Sequence, residues 1–385
     1  MDSISFDIWS ILIIIALAQG LFVLSILPFK LDWTKRRNYF LLGIILVLIW
    51  LEVEFLSVRK PFNVPLNIFY GTRHGLWMLL GPLFYFYAQF IYKPNQKLGI
   101  RTWIHFLPFL LITIIIPFFN TDILNSRQVN YGMLTAFDSF NDRISPLQYI
   151  YSSVFVFQFI HLSIYLLFAR KVVKKYRNTL KNNYSNIDVN NLKWLHQLSM
   201  GLLIILIFAT VFLFILFYTR IYRRHLDYLY VLPMSYVIYL VSYKLVNISW
   251  KQLKPSETKK YTKSSLDDKM ADEYAARLSD HMITNKPYLN TKLRLAELAK
   301  NLEISPHHLS QIINEKYHLN FYDFINKYRV NEIITILKES NGKEKISLLD
   351  IAYKTGFNNK TSFTNSFKKF TGQTPSSFKS LHLNK

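Results

Sequence analysis

The sequence predicts an all-α protein in two parts: a multi-span helical membrane domain followed by a tandem helix-turn-helix domain. Three observations carry this. Of 385 residues, 51% are hydrophobic and 16% aromatic, and the apolar ones crowd toward the N-terminus. Segregation on that scale separates a membrane part from a soluble part. Seven apolar stretches lie before residue 250, each near the roughly 20 residues that cross a bilayer as a helix. Beyond residue 284, two stretches share a pattern of short helix, tight turn and short helix, at 295–314 and 347–370.

The expected spans are 8–29, 39–58, 75–92, 102–119, 146–169, 195–219 and 228–248. The sixth, LHQLSMGLLIILIFATVFLFILFYT, carries no charge. The second holds Glu52 and Glu54, and the third is short and contains Gly81-Pro82. A buried soluble helix is the alternative for those two. The N-terminal MDSISFD is acidic and lacks the basic region of a signal peptide, so the first run is expected to be retained.

The formal charge is +22, with 23 Lys/Arg against 10 Asp/Glu through residue 250 and 23 against 14 beyond it. In the first part the basic residues report orientation. With the N-terminus outside, the inner loops hold 14 Lys/Arg and the outer loops 8. The loop RIYRRHLD at 220–227 argues against this bias. Seven spans then place everything after residue 250 in the cytoplasm. Trp33, Tyr39, Trp103, Tyr149, Tyr151, Trp194, Tyr228, Tyr230 and Trp250 fall near span ends, where interfacial anchoring accounts for them.

Acids inside a membrane are costly and frequently functional. Glu52 and Glu54 fall toward the outer end of span two, with Arg73 and His74 just before or at the start of span three. Local pairing at the interface explains them blandly. The sharper expectation is a polar outer pocket that binds a signal. Gln19, Gln158 and His161 read as helix–helix hydrogen-bond partners.

Residues 251–265, KQLKPSETKKYTKSS, read as a basic juxtamembrane linker. The 251–284 segment continues at 266–283 as a helix with Leu266, Met270, Tyr274, Leu278 and Met282 spaced by four. That stripe suits either packing on the C-terminal domain or a dimer contact that carries a signal.

In LAELAKNLEISPHHLSQIIN, Leu295, Leu298, Ala299 and Leu302 form the apolar face of a supporting helix. Ser305 is a good N-cap and Pro306 suits the first helical position. Leu309, Ile312 and Ile313 point inward, leaving His307, His308, Ser310, Gln311 and Asn314 outward. In SLLDIAYKTGFNNKTSFTNSFKKF, Gly356 permits the turn and Asn358 or Asn359 caps the next helix. Phe363, Phe367 and Phe370 are its buried stripe, leaving Lys360, Thr361, Thr364, Asn365, Lys368 and Lys369 exposed. A second helix of this kind can enter a DNA major groove. Lysines there suit phosphates, and Asn or Gln can pair bidentately with adenine. Between the units, FYDFINKYRVNEIITILKES carries an apolar stripe through Phe324, Ile325, Tyr328, Ile333 and Leu337. One connecting helix of about 30 Å would hold two reading helices about one DNA turn apart.

The 285–380 stretch resembles the DNA-binding domain of the AraC/XylS family. LAELAKNLEISPHHLSQIINE, FYDFINKYRV and IAYKTGFNNKTSFTNSFKKFTGQTP carry the resemblance in order and spacing. It implies two recognition helices in successive major grooves, with base contacts from His307, Ser310 and Gln311 and from Lys360, Thr361 and Asn365. Arg294 departs from the family pattern, standing where a small capping residue is common. GPLFYFYAQFIY and IHFLPFLL are similar to the seven-span sensor region of membrane-bound members of that family.

No cysteine is present, which excludes disulfides and thiol chemistry. Adjacent His307 and His308 point in different directions on a helix and do not form a metal set. No P-loop, G-x-S-x-G or H-E-x-x-H occurs, and no cofactor or enzymatic activity is expected. The sequence therefore reads as a membrane-bound one-component transcriptional regulator. Its expected partners are double-stranded promoter DNA, the lipid bilayer and a small-molecule or envelope signal. RNA polymerase and a second copy of the chain are further candidate partners. The alternative is a transporter- or channel-like protein with a regulatory helical tail. Proteolytic release of the C-terminal domain at 251–265 is a second rival.

Overall fold

The computed structural model describes residues 7–57, 75–118, 146–186, 190–218, 231–246, 267–339 and 347–383. The described residues are almost entirely helical and form two compact units. The first unit comprises 1–173 and 193–251, and the second comprises 174–192 and 252–385. The second unit thus takes in a segment that the sequence reading assigned to the membrane part.

The first unit contains α1 (Ile8–Lys30), α2 (Arg37–Ser57), α3 (Trp77–Tyr92), α4 (Ile100–Ile104) and α5 (Leu107–Phe118). It also holds most of α6 (Pro146–Asn183) and α7 (Asn190–Tyr218), and all of α8 (Val231–Val246). Ile8–Lys30, Arg37–Ser57, Val156–Asn183 and Leu192–Phe212 are long and apolar enough to cross a membrane, and Val231–Leu245 is a shorter apolar helix. Glu52 and Glu54 therefore do not disqualify the second span. The α3 helix, at 16 residues, is short and mostly buried.

α1 packs along α2 and α8, and α2 packs along α3. Small residues permit close approach between apolar helices. A Cβ at Gly20 would meet Ile49 Cγ1 at 2.7 Å, and one at Gly201 would meet Val237 Cγ2 at 2.7 Å. On α1, Ile13, Ala16, Val23 and Leu27 are buried while Ile8, Ile11, Ile15, Leu21 and Phe22 are exposed. A continuous exposed apolar face on so long a helix suits lipid rather than water. Trp194, expected at an interface, is instead buried, and its Nε1 donates to Tyr87 Oη at 2.6 Å. An indole N–H buried among apolar helices needs such an acceptor, and here it takes the side chain out of the interfacial belt.

The second unit begins with the end of α6 and continues through α9 (Asp268–Thr284) and a 3-10 turn (Pro287–Leu289). A first helix pair follows, α10 (Leu295–Asn301) and α11 (Pro306–Tyr317). The connecting helix α12 is Phe321–Glu339. A second pair, α13 (Leu348–Lys354) and α14 (Lys360–Thr371), precedes the final α15 (Pro375–Leu383).

Two cores form along α12. Its N-terminal half, with Phe321, Phe324 and Ile325, joins Leu295, Leu298, Ala299, Leu309, Ile312 and Ile313. Its C-terminal half, with Val330, Ile333 and Leu337, joins Ile351, Ala352, Phe357, Phe363 and Phe367. The α9 stripe resolves toward packing. Leu278 and Met282 are fully buried in the first core and Tyr274 packs against it, while Met270 stays 46% exposed. Leu266 and the 251–265 linker lie outside the described residues. Three polar ties fix α9 to the first pair. Lys316 Nζ meets Asp272 at 2.6 Å, Tyr317 Oη donates to Ala275 O at 3.3 Å, and Arg277 Nη2 donates to Leu302 O at 2.8 Å.

Candidate nucleic-acid interface

The two helix pairs are built alike at their turns. In the first, the amides of Leu302, Glu303 and Ile304 donate to Leu298 O, Lys300 O and Ala299 O. In the second, those of Thr355, Gly356 and Phe357 donate to Ile351 O, Tyr353 O and Ala352 O. Each turn needs one residue in the left-handed region. Gly356 supplies φ +99 without penalty, whereas Glu303 adopts φ 56 with a side chain. Ala299 and Ala352, both fully buried, occupy the matching position where the helices of each pair approach.

The second helix of each pair starts on a side-chain cap. Ser305 Oγ accepts from His308 N at 3.1 Å, with Pro306 opening the helix. Asn359 Oδ1 accepts from Ser362 N at 2.7 Å, so Asn359 rather than Asn358 is the cap. Ser347 caps α13, its Oγ accepting from Asp350 N at 3.4 Å. Arg294 stands at the start of α10 with no side-chain capping bond, as its residue type implies.

From these caps onward α11 and α14 run in step. Leu309, Ile312 and Ile313 are buried on α11, and Phe363, Ser366 and Phe367 on α14. The outward positions also correspond: Ser310 with Thr364, Gln311 with Asn365, and Asn314 with Lys368. His307, Asn314, Lys360, Thr361, Asn365 and Lys368 are exposed, and His308, Ser310, Gln311 and Thr364 are half-buried. Several have internal partners. Gln311 Nε2 donates to the Glu315 carboxylate at 3.1 and 3.2 Å. Asn314 Nδ2 donates to Ser310 O at 2.7 Å. Lys369 Nζ lies 2.6 Å from Asp323 on α12, so this lysine braces α14 against the connecting helix while its side chain stays 48% exposed.

Arg329 is the residue that sequence reasoning missed. It sits on α12 where the two cores meet, 1% exposed. Its Nε donates to Tyr288 O at 2.7 Å, Nη2 to Asn290 O at 2.9 Å, and Nη1 to Asn326 Oδ1 at 3.1 Å. Its guanidinium lies 5.7 Å from the Phe357 ring. Burial pulls its pKa down to about 10, so it remains a cation at neutral pH. An arginine inside the apolar run of α12 was the available signal. A charge within the stripe of Phe324, Ile325, Val330 and Ile333 is not accommodated without partners.

The candidate signal residues are less unified. Glu52 is fully buried on α2, accepts from Ser235 Oγ at 3.2 Å, and leaves Oε2 without a partner. Glu54 is also buried, but residues two apart on a helix do not share a face. Arg73 and His74 lie outside the described residues. Gln158 and His161 are buried on α6, and the His161 ring packs 4.7 Å from that of Tyr165. Tyr165 in turn hydrogen-bonds His105, a pairing the sequence reading did not anticipate.

Residues 298–380 match the family described as helix-turn-helix domain. A segment of 133 residues is 29% identical to an uncharacterized HTH-type transcriptional regulator, YtdP, of Bacillus subtilis, covering 32% of this chain and 16% of that protein. Another of 82 residues is 32% identical to the HTH-type transcriptional regulator GlxA of Rhizobium meliloti, covering 21% of this chain and 24% of that one. A solved structure of a protein of unknown function from Listeria innocua shares 27% identity with a TM-score of 0.24, over 28% of this chain and 95% of that one. The matches with the two regulators therefore span a quarter or less of their lengths. The C-terminal region is a helix-turn-helix domain similar to those of transcriptional regulators.

Proposed function

We propose that the chain is a membrane-bound, one-component transcriptional regulator of the AraC type. Seven helices sense a signal, and two helix-turn-helix units bind promoter DNA sequence-specifically. The observation that carries this reading is the correspondence of the two helix pairs. They share turn hydrogen bonds, buried positions and outward polar positions, and a 19-residue helix joins them. At 1.5 Å per residue that helix is about 28 Å long, near the ~34 Å between successive major grooves on one DNA face.

In this reading α11 and α14 are the recognition helices. Gln311 and Asn365 offer amides to base edges, with Ser310 and Thr364 beside them. Lys360 and Thr361 join Asn365, and His307 joins Gln311, as the base-contact positions that the resemblance implies. Lys368 contacts phosphates, and His308 and Asn314 complete the first face. Lys369 contributes through the brace to Asp323.

Among the described residues, four long apolar helices and a shorter one support a multi-pass protein of the bacterial inner membrane. The N-terminus is outside and the DNA-binding domain cytoplasmic, with double-stranded promoter DNA and the bilayer as partners. The signal is a small molecule or an envelope cue, and the buried carboxyl of Glu52 is the leading contact for it. RNA polymerase is a downstream partner. Homodimerisation would use what α9 leaves free, Met270 and the 65% exposed Ile283. Signal binding acts by shifting the population of arrangements of the reading helices. No enzymatic step and no cofactor is part of this mechanism.

The test is DNA binding by the full-length protein in lipid nanodiscs, on genomic fragments across a salt series. Discrete sites that survive physiological salt, and that a Gln311→Ala, Asn365→Ala variant loses, are the expected result. Binding that is sequence-blind and collapses with salt would overturn sequence-specific regulation.

A further inference from the structure

Residues 174–192 take in the end of one helix long and apolar enough to cross a membrane and reach the start of the next, yet they belong to the same compact unit as the DNA-binding domain. The contact is built from several bonds. Tyr184 pairs with Arg294 as an antiparallel bridge, and Ser185 N donates to Leu293 O at 3.1 Å. The Arg294 guanidinium lies 5.6 Å from the Tyr184 ring. Lys181 Nζ lies 5.9 Å from the ring of Tyr322, at the start of α12. Ser185 itself is 1% exposed.

Ser185 also completes the shell of Arg329. Nη1 donates to Ser185 O at 3.1 Å and Nη2 reaches Ser185 Oγ at 3.4 Å. The other acceptors of this guanidinium are Tyr288 O, Asn290 O and Asn326 Oδ1. Tyr288 and Asn290 lead into the first helix pair. Against the same guanidinium sits the turn of the second pair. A Cβ at Gly356 would come 2.8 Å from Arg329 Nε and 2.5 Å from Tyr288 O. One buried cation thus touches the first pair's lead-in, the connecting helix, the second pair's turn and Ser185. A buried cation that loses an acceptor pays the desolvation of the unmet donor. The pose of the two pairs is therefore tied to the presence of residue 185.

We propose that residues 184–186 are a transmission latch. Docked on 293–294 and on Arg329, the segment holds the two helix pairs in one relative pose suited to DNA with two half-sites. Movement of α6, which carries the segment, withdraws it and lowers affinity for such DNA. The latch rests on the reading of both pairs as DNA-binding. It is distinct from that reading because it adds a second path from the membrane helices to the domain, beside the linker before α9. A preorganised pose gains affinity by removing the cost of ordering the two pairs, so the docked state is the tight-binding one.

The test uses the full-length protein in nanodiscs and a duplex of two half-sites selected by the wild type from random-sequence DNA. Ser185→Pro removes the N–H that bonds Leu293 O. The expected result is about a tenfold loss on the two-half-site duplex, with binding to a single half-site unchanged and amide exchange faster across 288–294. Tyr184→Cys with Arg294→Cys places a disulfide across the bridge in a chain with no other cysteine. Opposed strand positions lie within disulfide reach. Oxidation of that variant is expected to keep full two-half-site affinity and slow exchange across 288–294. Unchanged two-half-site affinity and unchanged exchange in Ser185→Pro would overturn the latch, as would an oxidised variant that exchanges like the reduced one. If the wild type selects no DNA, the functional reading fails, and the exchange measurements still decide whether 184–186 holds the domain.

Discussion

Gln311 and Asn365 occupy corresponding turns of α11 and α14, but Gln311 carries a carboxylate partner one turn on. Its amide donates to both oxygens of Glu315. To pair with adenine that amide must leave Glu315, and the carboxylate then faces DNA phosphates. Glu315→Ala is expected to tighten binding and steepen its salt dependence, because one internal competitor and one repulsive charge are removed. Gln311→Ala should cost about 1–3 kcal/mol on the selected site and relax preference at one base pair. Lys368→Ala should weaken binding evenly across sequences and reduce the salt slope by about one. Equilibrium titrations of each variant on selected and scrambled duplexes, at several salt concentrations, separate the three. A Glu315→Ala protein that binds no tighter than wild type would place Gln311 off the base edges.

Each helix pair turns through one left-handed residue, and the two solutions differ in cost. A side chain in that conformation costs about 1–2 kcal/mol, offset by the roughly 0.5–1 kcal/mol that glycine loses in backbone entropy. Glu303→Gly is therefore expected to stabilise the first pair by about 0.5–1 kcal/mol, read from native-state hydrogen exchange in α10 and α11. Gly356→Ala is expected to destabilise the second pair by at least about 2 kcal/mol, since its Cβ would meet backbone oxygen at Tyr288. Much of this element scale was legible beforehand. Ser305, Pro306 and Gly356 act within a few residues of themselves, and the stripes of Leu309, Ile312 and Ile313 or Phe363 and Phe367 follow from helical period alone. What was not legible depends on partners far along the chain. Arg329 finds Ser185 across 144 positions, and Trp194 finds Tyr87 across 107. Neither periodicity nor capping encodes such pairs. Glu52 and Glu54 were legible as costly acids, and helical spacing already sets them on separate faces, but the Ser235 partner of Glu52 lies 183 positions away.

At the scale of the whole molecule, regulation requires that the DNA-binding domain share a compartment with DNA, and this needs an odd number of crossings from an external N-terminus or an even number from an internal one. The first unit supplies one check on the alternation. Arg36, between α1 and α2, donates from Nη1 to Gln96 O between α3 and α4, at 2.7 Å. The loop holding Arg36 and the loop holding Gln96 therefore lie at the same end of the unit, as two successive inner loops must. Around the first, Lys35 meets Asp32 at 3.0 Å. Hydrogen bonds from Thr34 and Lys35 hold the Asp32 carboxyl down to about 2, so the loop keeps that acid ionised at any physiological pH. Asp and Glu contribute little to topology, so the loop's Lys and Arg still count toward the inside. The weak point is 220–227, whose three arginines would have to remain outside. Because the chain has no cysteine, single-cysteine variants report sidedness without background. In intact cells a membrane-impermeant maleimide is expected to label Arg223→Cys and to spare Lys35→Cys, Gln96→Cys and Lys292→Cys until the membrane is opened. Protection of Arg223→Cys together with labelling of Lys292→Cys would place the helix-turn-helix domain away from DNA, and the regulator reading would fall with it. Protection of both would remove the last crossing and, with six crossings before residue 223, put the N-terminus inside, so that Lys35→Cys and Gln96→Cys would then be labelled while the domain stays in the cytoplasm. The sidedness of residue 223 therefore tests the span count, and that of residue 292 tests the function.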